Sequence, residues 1–190
     1  MGWAAACRRS GTTPEGKPAP DAPGGPGKGG RVRWCAVDHA ILARVSRSVL
    51  VLNGPNLNLL GRRDPAVYGT ATLADVEAMC IAEGERLGLR VECRQSNHEG
   101  LLIDWIHEAF ESGAAVVGNF GAYTHTSIAI MDALVVLTAP VVEVHISDIH
   151  AREEFRHLSY VGKVADAAVI GKGVDGYVEA LREVDRLLDA

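Results

Sequence analysis

Short apolar runs alternate along the chain with longer segments in which apolar residues recur every three or four positions. The short runs predict buried β-strands at residues 48–53, 90–96, 114–119, 139–147 and 167–171. The longer segments predict α-helices at residues 72–87, 100–112 and 126–137, and then a closing helix with an apolar stripe formed by Val174, Tyr177, Val178, Leu181 and Val184. Strands that alternate with helices of this length favour a single parallel sheet. We therefore expect an α/β, flavodoxin-like doubly wound fold with a five-stranded parallel sheet and helices on both faces.

Two of the predicted helices carry further local signals. Thr72 and Asp75 have the spacing of a capping pair at the start of the first helix. Leu101, Trp105 and Ala109 fall on one face of the second helix, which predicts a packed face there.

The N-terminal segment differs in composition from the rest of the chain. Residues 1–30 hold five of the eight prolines and eight of the 21 glycines. Such a segment cannot bury enough apolar surface to offset its ordering entropy, so we expect residues 1–47 to be a disordered or additional N-terminal extension of a domain at residues 48–190. Residues 31–47 leave three alternatives open: a short amphipathic helix, more of the same tail, or a start codon assigned too early.

Composition narrows the functional class. The 190 residues are 47% hydrophobic and 23% charged, which suits one globular domain. Beyond residue 47, eleven Lys and Arg stand against 21 Asp and Glu, a charge of −10 that argues against a nucleic-acid surface. No apolar run of about 18 residues predicts a membrane span. No CxxC pair or metal-ligand spacing occurs among the cysteines, which favours reduced thiols in a cytoplasmic protein: Cys7, Cys35, Cys80 and Cys93.

Three predicted strands run directly into polar clusters at their carboxyl ends. The clusters occupy residues 53–56, 118–127 and 143–147. In doubly wound sheets, ligands bind beyond the carboxyl ends of the strands, close to the point where strand order reverses. The sequence therefore predicts one site built from all three clusters.

Glu143 and His145 lie two positions apart in the fourth predicted strand, which places both side chains on the same face. A carboxylate beside an imidazole holds its tautomer and generally raises its pKa, as a general acid near neutral pH requires. The alternative is a buried Glu–His pair with a purely structural role.

Tyr68 follows Arg62 and Arg63 in a long predicted loop. A nearby guanidinium group favours the phenolate, so the tyrosine could act as a base near neutral pH. Loops of this length are often lids over active sites. The alternative is a tyrosine that packs on the surface.

Other polar residues of the later segments leave alternatives open. His125 and Asp132 share a face of the third helix if that helix begins by His125, and Thr124 or Thr126 could cap its N-terminus. Asp132 could equally be a solvated helix residue. The cations in HAREEFR could face an acidic or polyhydroxy substrate or pair with Glu153 or Glu154 on the surface: Arg152 and Arg156. A metal site formed by His125, His145 and His150 has no compact ligand motif to support it.

Several motifs are absent from the sequence. GxGxxG, GxxxxGK[ST] and GxSxG do not occur, so dinucleotide, nucleoside-triphosphate and hydrolase-elbow sites lack their signatures.

From about Ser48 to the C-terminus the chain resembles the type II 3-dehydroquinate dehydratases, also called type II dehydroquinases. The resemblance rests on segments in the family's order and spacing: VLNGPNLNLLGRRDPAVYG, QSNHEGLLIDWIHEA, NFGAYTHTS, VEVHIS, HAREEFRHLSY and GKGVDGY. It implies a hydro-lyase of the shikimate pathway or of quinate catabolism. Such an enzyme converts 3-dehydroquinate to 3-dehydroshikimate through an enolate, without metal, nicotinamide or imine.

The resemblance also implies roles for individual residues. Tyr68 would be the proton acceptor, held as phenolate by Arg63, and His145, oriented by Glu143, would protonate the departing hydroxyl. Asn119, with an ordered water, would stabilise the enolate beside Asn56. Substrate contacts are implied for a further set of residues: His125, Ile146, Ser147, Arg152 and Arg156. Asp132 would reach into a neighbouring subunit of a homododecamer, a tetramer of trimers.

Three positions depart from the family's usual residues, namely Phe120, Asp148 and Asp175. They place rate and affinity in question more than reaction type. Two rival functions also stay open. A flavin- or phosphometabolite-binding module predicts a loop rich in Ser, Thr and Gly after the first strand, whereas this loop reads Asn-Gly-Pro-Asn. A catalytically idle homologue would carry the same residues without turnover.

Overall fold

The computed structural model describes residues 47–62 and 70–190. Within these residues the chain forms one parallel sheet of five strands in the order β2-β1-β3-β4-β5. The strands are β1 (Ser48–Asn53), β2 (Arg90–Gln95), β3 (Ala115–Asn119), β4 (Val141–His145) and β5 (Ala167–Ile170). This order confirms the predicted doubly wound α/β fold, with the reversal of strand order between β1 and β3.

Helices cover both faces of the sheet, as predicted. They are α1 (Leu73–Leu87), α2 (Glu99–Ser112), α3 (Ile128–Val135) and α4 (Asp175–Leu188). One apolar cluster joins α1 and α4 to one face of the sheet, and a second joins α2 and α3 to the other face. Two separate core layers therefore support the same set of strand ends.

The start of α1 matches its prediction. The Thr72 hydroxyl accepts a hydrogen bond from the Asp75 N–H, and the Asp75 carboxylate accepts one from the Thr72 N–H at 2.8 Å. This reciprocal pair is the predicted capping box, and it satisfies two N–H groups that the first helical turn leaves without partners.

The buried face of α2 differs from the predicted one. Leu102, Ile106 and Ala109 are buried, whereas Leu101 is exposed and Trp105 is only partly buried. Ala109 is buried as predicted, while Leu101 and Trp105 each lie one residue before a buried position, a rotation of about 100° around the helix. The spacing alone therefore could not decide which stripe faces the sheet.

The third helix starts later than predicted. It begins at Ile128, and the Ser127 hydroxyl caps it by accepting a hydrogen bond from the Ile130 N–H at 2.9 Å. His125 instead ends a 3₁₀ turn (Gly121–His125). The condition under which His125 and Asp132 would share a helix face is therefore not met, and the predicted cap by Thr124 or Thr126 is wrong.

Several strands are also shorter than predicted, and the difference is largest for β4. Pro140 has no N–H to donate, and the ladder begins at Val141. At the other end, the His145 carbonyl accepts a hydrogen bond from the Gly171 N–H at 2.9 Å, and the chain then turns away from the sheet. Ile146 and Ser147 thereby leave the strand and lie in the loop beyond it.

Arg47, which the prediction places in the N-terminal extension, contacts the sheet and α4. The Arg47 carbonyl accepts a hydrogen bond from the Arg90 N–H at 2.9 Å, and its guanidinium pairs with Asp185 and Asp189 of the α4 end. The prediction for residues 1–46 lies outside the described residues. Across the described part of the chain, no helix has both the length and the apolar character needed to cross a membrane.

Glu83 of α1 binds two arginines, Arg86 of the same helix and Arg182 of α4. Its carboxylate accepts hydrogen bonds from Arg86 at 2.8 and 2.9 Å and from Arg182 at 2.6 Å. The hydrogen bond from Arg86 lowers the pKa of Glu83 most, burial opposes it, and Arg182 adds to it, so the pKa falls from 4.5 to about 2. Since the pKa is lower in the folded state, the ionised carboxylate stabilises the fold.

This shift predicts how stability depends on pH in the Glu83→Gln variant. The stabilisation by Glu83 is fully present above pH 4.5 and is lost as the pH falls toward 2. We expect the variant to unfold at lower urea concentration than the parent at pH 7, with a gap that narrows progressively below pH 4.5. Glu85→Gln, at an exposed position of the same helix, is the matched control. A gap that stays constant with pH would contradict the assignment.

Candidate active site

The carboxyl ends of β1, β3 and β4 meet around one cavity of about 190 Å³. In the sheet register, Asn53 lies opposite Asn119, and Gly118 lies opposite Glu143. The three polar clusters that follow these strands are therefore brought together at one edge of the sheet. The polar residues that line the cavity are Asn56, Asn119, His125, His145, Ser147, Arg152 and Arg156.

The loops after β1 and β3 pack directly against each other, and glycines make this possible. The Gly54 N–H donates to the Asn119 carbonyl at 2.8 Å, and a Cβ on Gly54 would lie 2.3 Å from the Phe120 carbonyl oxygen. Gly121 has a φ of +57°, and a Cβ there would lie 3.2 Å from the Pro55 carbonyl. Larger residues at these two positions would separate the loops that form one wall of the cavity.

Asn56 occupies the turn at the end of the β1 loop. Its φ of 68° is left-handed, a conformation that asparagine tolerates better than most residues. Its N–H donates to the Asn97 side-chain oxygen at 2.9 Å, which anchors the turn to the segment after β2. The exposed Asn56 side chain thus lies at the rim of the cavity.

Glu143 and His145 form the predicted pair, and both are buried, with 1% and 5% of their surfaces exposed. The His145 Nε2 lies 2.9 Å from the Glu143 Oε1, but the ring N–H is not aligned for a regular hydrogen bond. Two hydroxyl groups donate to the same carboxylate oxygen, from Thr124 and, at 2.8 Å, from Ser159. Glu143 therefore has two neutral hydrogen-bond donors in any orientation of the His145 ring.

The surroundings of Glu143 favour its ionised form. Burial raises the pKa of this carboxyl, but His145 and the hydroxyls of Thr124 and Ser159 outweigh burial and hold the pKa below its usual range. Gly162 packs closely against the Glu143 carboxylate, since a Cβ at this position would lie 2.9 Å from the Glu143 Oε2. A charged carboxylate thus stands behind the imidazole that borders the cavity.

A second buried network holds Asn119. The Asn119 Nδ2 donates to the Tyr177 hydroxyl at 2.9 Å, and that hydroxyl donates to the Asn53 Oδ1 at 2.6 Å. The Asn119 Oδ1 accepts from the Gly121 N–H at 3.3 Å. Each end of the Asn119 amide therefore has one protein partner, on the side of the sheet that α4 covers.

His125 and two arginines also line the cavity. The His125 Nδ1–H donates to the Leu158 carbonyl at 2.8 Å, and its ring lies nearly parallel to that of His145, with centroids 6.3 Å apart. Burial lowers the pKa of His125, the Leu158 carbonyl opposes this, and His145 and Arg156 lower it further. The Nδ1–H of a neutral His125 is taken by the Leu158 carbonyl, so Nε2 offers a lone pair that can accept a hydrogen bond from a ligand.

Arg152 and Arg156 line the cavity and also pair with Glu153, at 3.5 and 3.1 Å. The surface salt bridge with Glu153 is therefore present, and the substrate-facing role of the two arginines stays a prediction. The Glu153 side chain is 54% exposed, so these ion pairs contribute little to stability.

The remaining predicted residues fall into three groups. Ile146 and Ser147 line the cavity directly after β4. Asp132 is exposed on α3 and does not line the cavity. Arg63 and Tyr68 lie outside the described residues, so their predicted roles stay predictions.

The structure places the three departures from the family pattern. Phe120 is fully buried, with its ring against Gly118, where a Cβ would lie 2.2 Å from a ring carbon. The Asp148 carboxylate accepts a hydrogen bond from the His150 N–H at 2.9 Å and caps a 3₁₀ turn. Asp175 is the exposed first residue of α4. None of the three lines the cavity in the described part of the chain.

The site also contains residues that the sequence analysis did not select: Asn53, Thr124, Ser159 and Tyr177. Asn53 and Thr124 stand inside two of the predicted polar clusters, so their positions carried a signal. Ser159 and Tyr177 come from distant segments, and no local pattern distinguishes them. Among residues 47–62 and 70–190, no group of three or more His, Cys, Asp or Glu side chains is arranged to hold a metal ion.

Comparisons with known proteins agree with this geometry. The family model for class II dehydroquinase matches residues 47–185. A protein of Variovorax paradoxus strain S110 named 3-dehydroquinate dehydratase is 58% identical over 140 residues, which cover 71% of this chain and 96% of that protein. The 3-dehydroquinate dehydratase 2 of Ralstonia nicotianae is 60% identical over 140 residues, covering 71% of this chain and 91% of that protein.

A solved structure extends the likeness to three dimensions. The crystal structure of type II dehydroquinase from Propionibacterium acnes matches with a TM-score of 0.72 and 49% sequence identity, and the match covers 75% of this chain and 98% of that chain. The family model spans well over half of the sequence, and the relatives are covered almost end to end. The chain therefore belongs to the class II dehydroquinase family.

Proposed function

We propose that this chain is a hydro-lyase that eliminates water from 3-dehydroquinate to give 3-dehydroshikimate, through an enolate. The observation that carries the proposal is the buried Glu143–His145 pair, which borders a cavity that is also lined by side-chain amides and arginines. The reaction would serve the shikimate pathway, toward aromatic amino acids, or the catabolism of quinate. Family membership and the names of the relatives support the same reaction.

The first step removes a proton from the carbon beside the substrate ketone. We assign this to the Tyr68 phenolate, held by Arg63, on the basis of the family motif in VLNGPNLNLLGRRDPAVYG. A guanidinium close to a phenol stabilises the charged form, so the base is ready near neutral pH. The electron pair of the broken C–H bond then moves onto the ketone oxygen.

The enolate oxygen carries the charge that this step develops. Fixed donors stabilise such an oxyanion because they need no reorganisation during the reaction. Asn119 and Asn56 line the cavity and suit this task, with an ordered water between the amides and the oxygen. Asn119 is only 4% exposed, so its contribution comes from a fixed and nearly dry position.

The second step breaks the C–O bond of the departing hydroxyl. His145 donates a proton to that oxygen, the enolate electrons re-form the ketone and the new C=C bond, and water leaves. Glu143 faces Nε2, so the imidazolium that precedes transfer has a charged partner. Two hydroxyl donors keep that carboxylate in place through the cycle.

We assign the substrate contacts from the family motif, and the cavity lining supports them. His125 and Arg156 face the ring hydroxyls, while the backbone N–H groups of Ile146 and Ser147 and the Ser147 hydroxyl hold the carboxylate. Arg152 adds a second cation beside Arg156. No cofactor enters this mechanism.

We further propose that the chain assembles as a homododecamer, a tetramer of trimers, with Asp132 reaching a neighbouring subunit's site. The support is an exposed apolar strip beside Asp132, in which Ile128 and Val135 of α3 are 51% and 60% exposed. Such side chains favour burial against another surface. Light scattering on the purified full chain tests this, and a monomer mass at micromolar concentration would reject it.

We place the enzyme in the cytoplasm. The support is the state of Cys80 and Cys93, which are free thiols in the described structure. Fractionation of the native cells tests this placement.

The activity is tested by mixing the purified chain with 3-dehydroquinate and following the ultraviolet absorbance of the conjugated product. We expect the absorbance to rise, and borohydride pretreatment to leave the rate unchanged, because no lysine lines the described cavity to form an imine. No rise from a folded protein would reject the dehydratase and favour an idle homologue. A yellow purified protein would favour a flavin-binding module instead.

A further inference from the structure

Tyr177 is a buried tyrosine whose hydroxyl lies between two buried asparagines. Its side chain is fully buried on α4, and Asn53 and Asn119 are 0% and 4% exposed at the adjacent ends of β1 and β3. A phenylalanine would fill the same apolar space. The hydroxyl is therefore present for its hydrogen bonds and not for packing.

The hydrogen bonds around Tyr177 run in one direction. The Asn53 Nδ2 donates to the Arg94 carbonyl at 3.3 Å, so the Asn53 Oδ1 faces Tyr177 and accepts its O–H at 2.6 Å. The phenol oxygen then offers only lone pairs to Asn119, whose Nδ2 donates to it at 2.9 Å. A carbonyl that cannot donate thus sets the orientation of the whole chain of bonds.

This direction fixes the orientation of the Asn119 side-chain amide. With Nδ2 on the phenol and Oδ1 accepting from the Gly121 N–H, rotating the amide by half a turn would break both contacts. One N–H of Nδ2 remains for a ligand or a water in the cavity. Asn119 is thereby held as a donor, which is what a developing oxyanion requires.

We propose that Tyr177 is a positioning residue that fixes the Asn119 amide as a hydrogen-bond donor toward the reacting substrate. The inference rests on the proposed dehydratase function, and it adds a residue from α4 that does not line the cavity. Burial raises the pKa of the Tyr177 phenol well above its usual range, against the opposing effect of Asn119, so the hydroxyl keeps its proton throughout the working pH range. The hydrogen bond that positions Asn119 is therefore independent of pH over this range.

The test is a double-mutant cycle on turnover of 3-dehydroquinate, with Tyr177→Phe, Asn119→Ala and the double variant. We expect Tyr177→Phe to lower kcat about tenfold or more, a part of the loss of about 10²–10³ that follows removal of a whole oxyanion donor. In the Asn119→Ala background, Tyr177→Phe should change kcat less than about twofold, because the group it positions is already gone. Single-turnover measurements with enzyme in excess keep the slow variants measurable.

Val184→Ala is the matched stability control, since Val184 is buried on the same helix and belongs to the same apolar cluster. We expect it to lower the melting temperature with kcat unchanged. If Tyr177→Phe does not fold, Asn53→Ser takes its place, because it removes the acceptor that directs the Tyr177 O–H and should also lower kcat.

Two results would overturn the positioning role. One is an unchanged kcat in Tyr177→Phe. The other is an equal loss of kcat with and without the Asn119 side chain, as a general loss of stability would produce. Absence of turnover by the parent chain is a separate result that rejects the dehydratase function, and the inference with it.

Discussion

Replacing His145 with alanine is expected to lower kcat by about 10²–10⁴-fold, the usual contribution of a positioned general acid. The imidazole is the titratable group that borders the cavity directly in front of the buried Glu143. Steady-state turnover of 3-dehydroquinate, followed by product absorbance, measures the loss. The fold should survive, because Glu143 retains the hydroxyl donors of Thr124 and Ser159 when the ring is removed.

The control for this variant is His107→Ala, at an exposed position of α2 outside the cavity lining. It should keep the kcat of the parent. A His145→Ala variant that retains more than about a tenth of the parent kcat would be incompatible with general-acid catalysis by this ring.

Replacing Tyr68 with phenylalanine is expected to abolish measurable turnover while leaving the assembly intact. The substitution removes the phenolate oxygen that accepts the substrate proton and keeps the aromatic ring. Proton abstraction has no second base in the proposed mechanism, so the loss should be at least as large as that of His145→Ala. Stopped-time product assays and light scattering on the same sample separate activity from assembly.

Tyr160→Phe removes a phenolic hydroxyl outside the cavity lining and should leave kcat unchanged. Substantial turnover by Tyr68→Phe would assign the base to another residue. Since the Tyr68 assignment comes from the family motif alone, this variant is its most direct test.

The sequence predicted the part of the site that lies at the carboxyl ends of the strands. Parallel strands end at one edge of a sheet, so polar residues directly after buried runs had to converge there. For that reason the neighbourhood of Asn119, Glu143 and His145 could be anticipated without coordinates. The alternation of side chains along β4 placed Glu143 beside His145 for the same reason.

The sequence could not resolve positions where several residues compete for one role. Residues 124–127 read Thr-His-Thr-Ser, and three of these four can cap a helix. Ser127 caps α3, while the Thr124 hydroxyl donates to Glu143 on β4. This choice depends on tertiary contacts 19 residues apart, which local spacing does not encode.

Tyr177 illustrates a different limit. The apolar stripe of α4 correctly predicted that this residue is buried. The pattern treats tyrosine as an apolar residue. It contains no information about the hydrogen-bond partner of the hydroxyl, since Asn53 lies 124 residues away. A polar partner of a core tyrosine becomes visible only when the sheet and the helix are assembled.

In the proposed mechanism, the two sides of the sheet support different chemical steps. Tyr177, Asn53 and Asn119 belong to the layer that α1 and α4 cover, and Val161, next to the Ser159 turn that holds Glu143, packs in the layer of α2 and α3. A change of packing under α4 should therefore alter enolate stabilisation, and one under α3 should alter protonation of the leaving group. Directed evolution of this scaffold could tune the two half-reactions independently, by drawing substitutions from opposite sides of a single sheet.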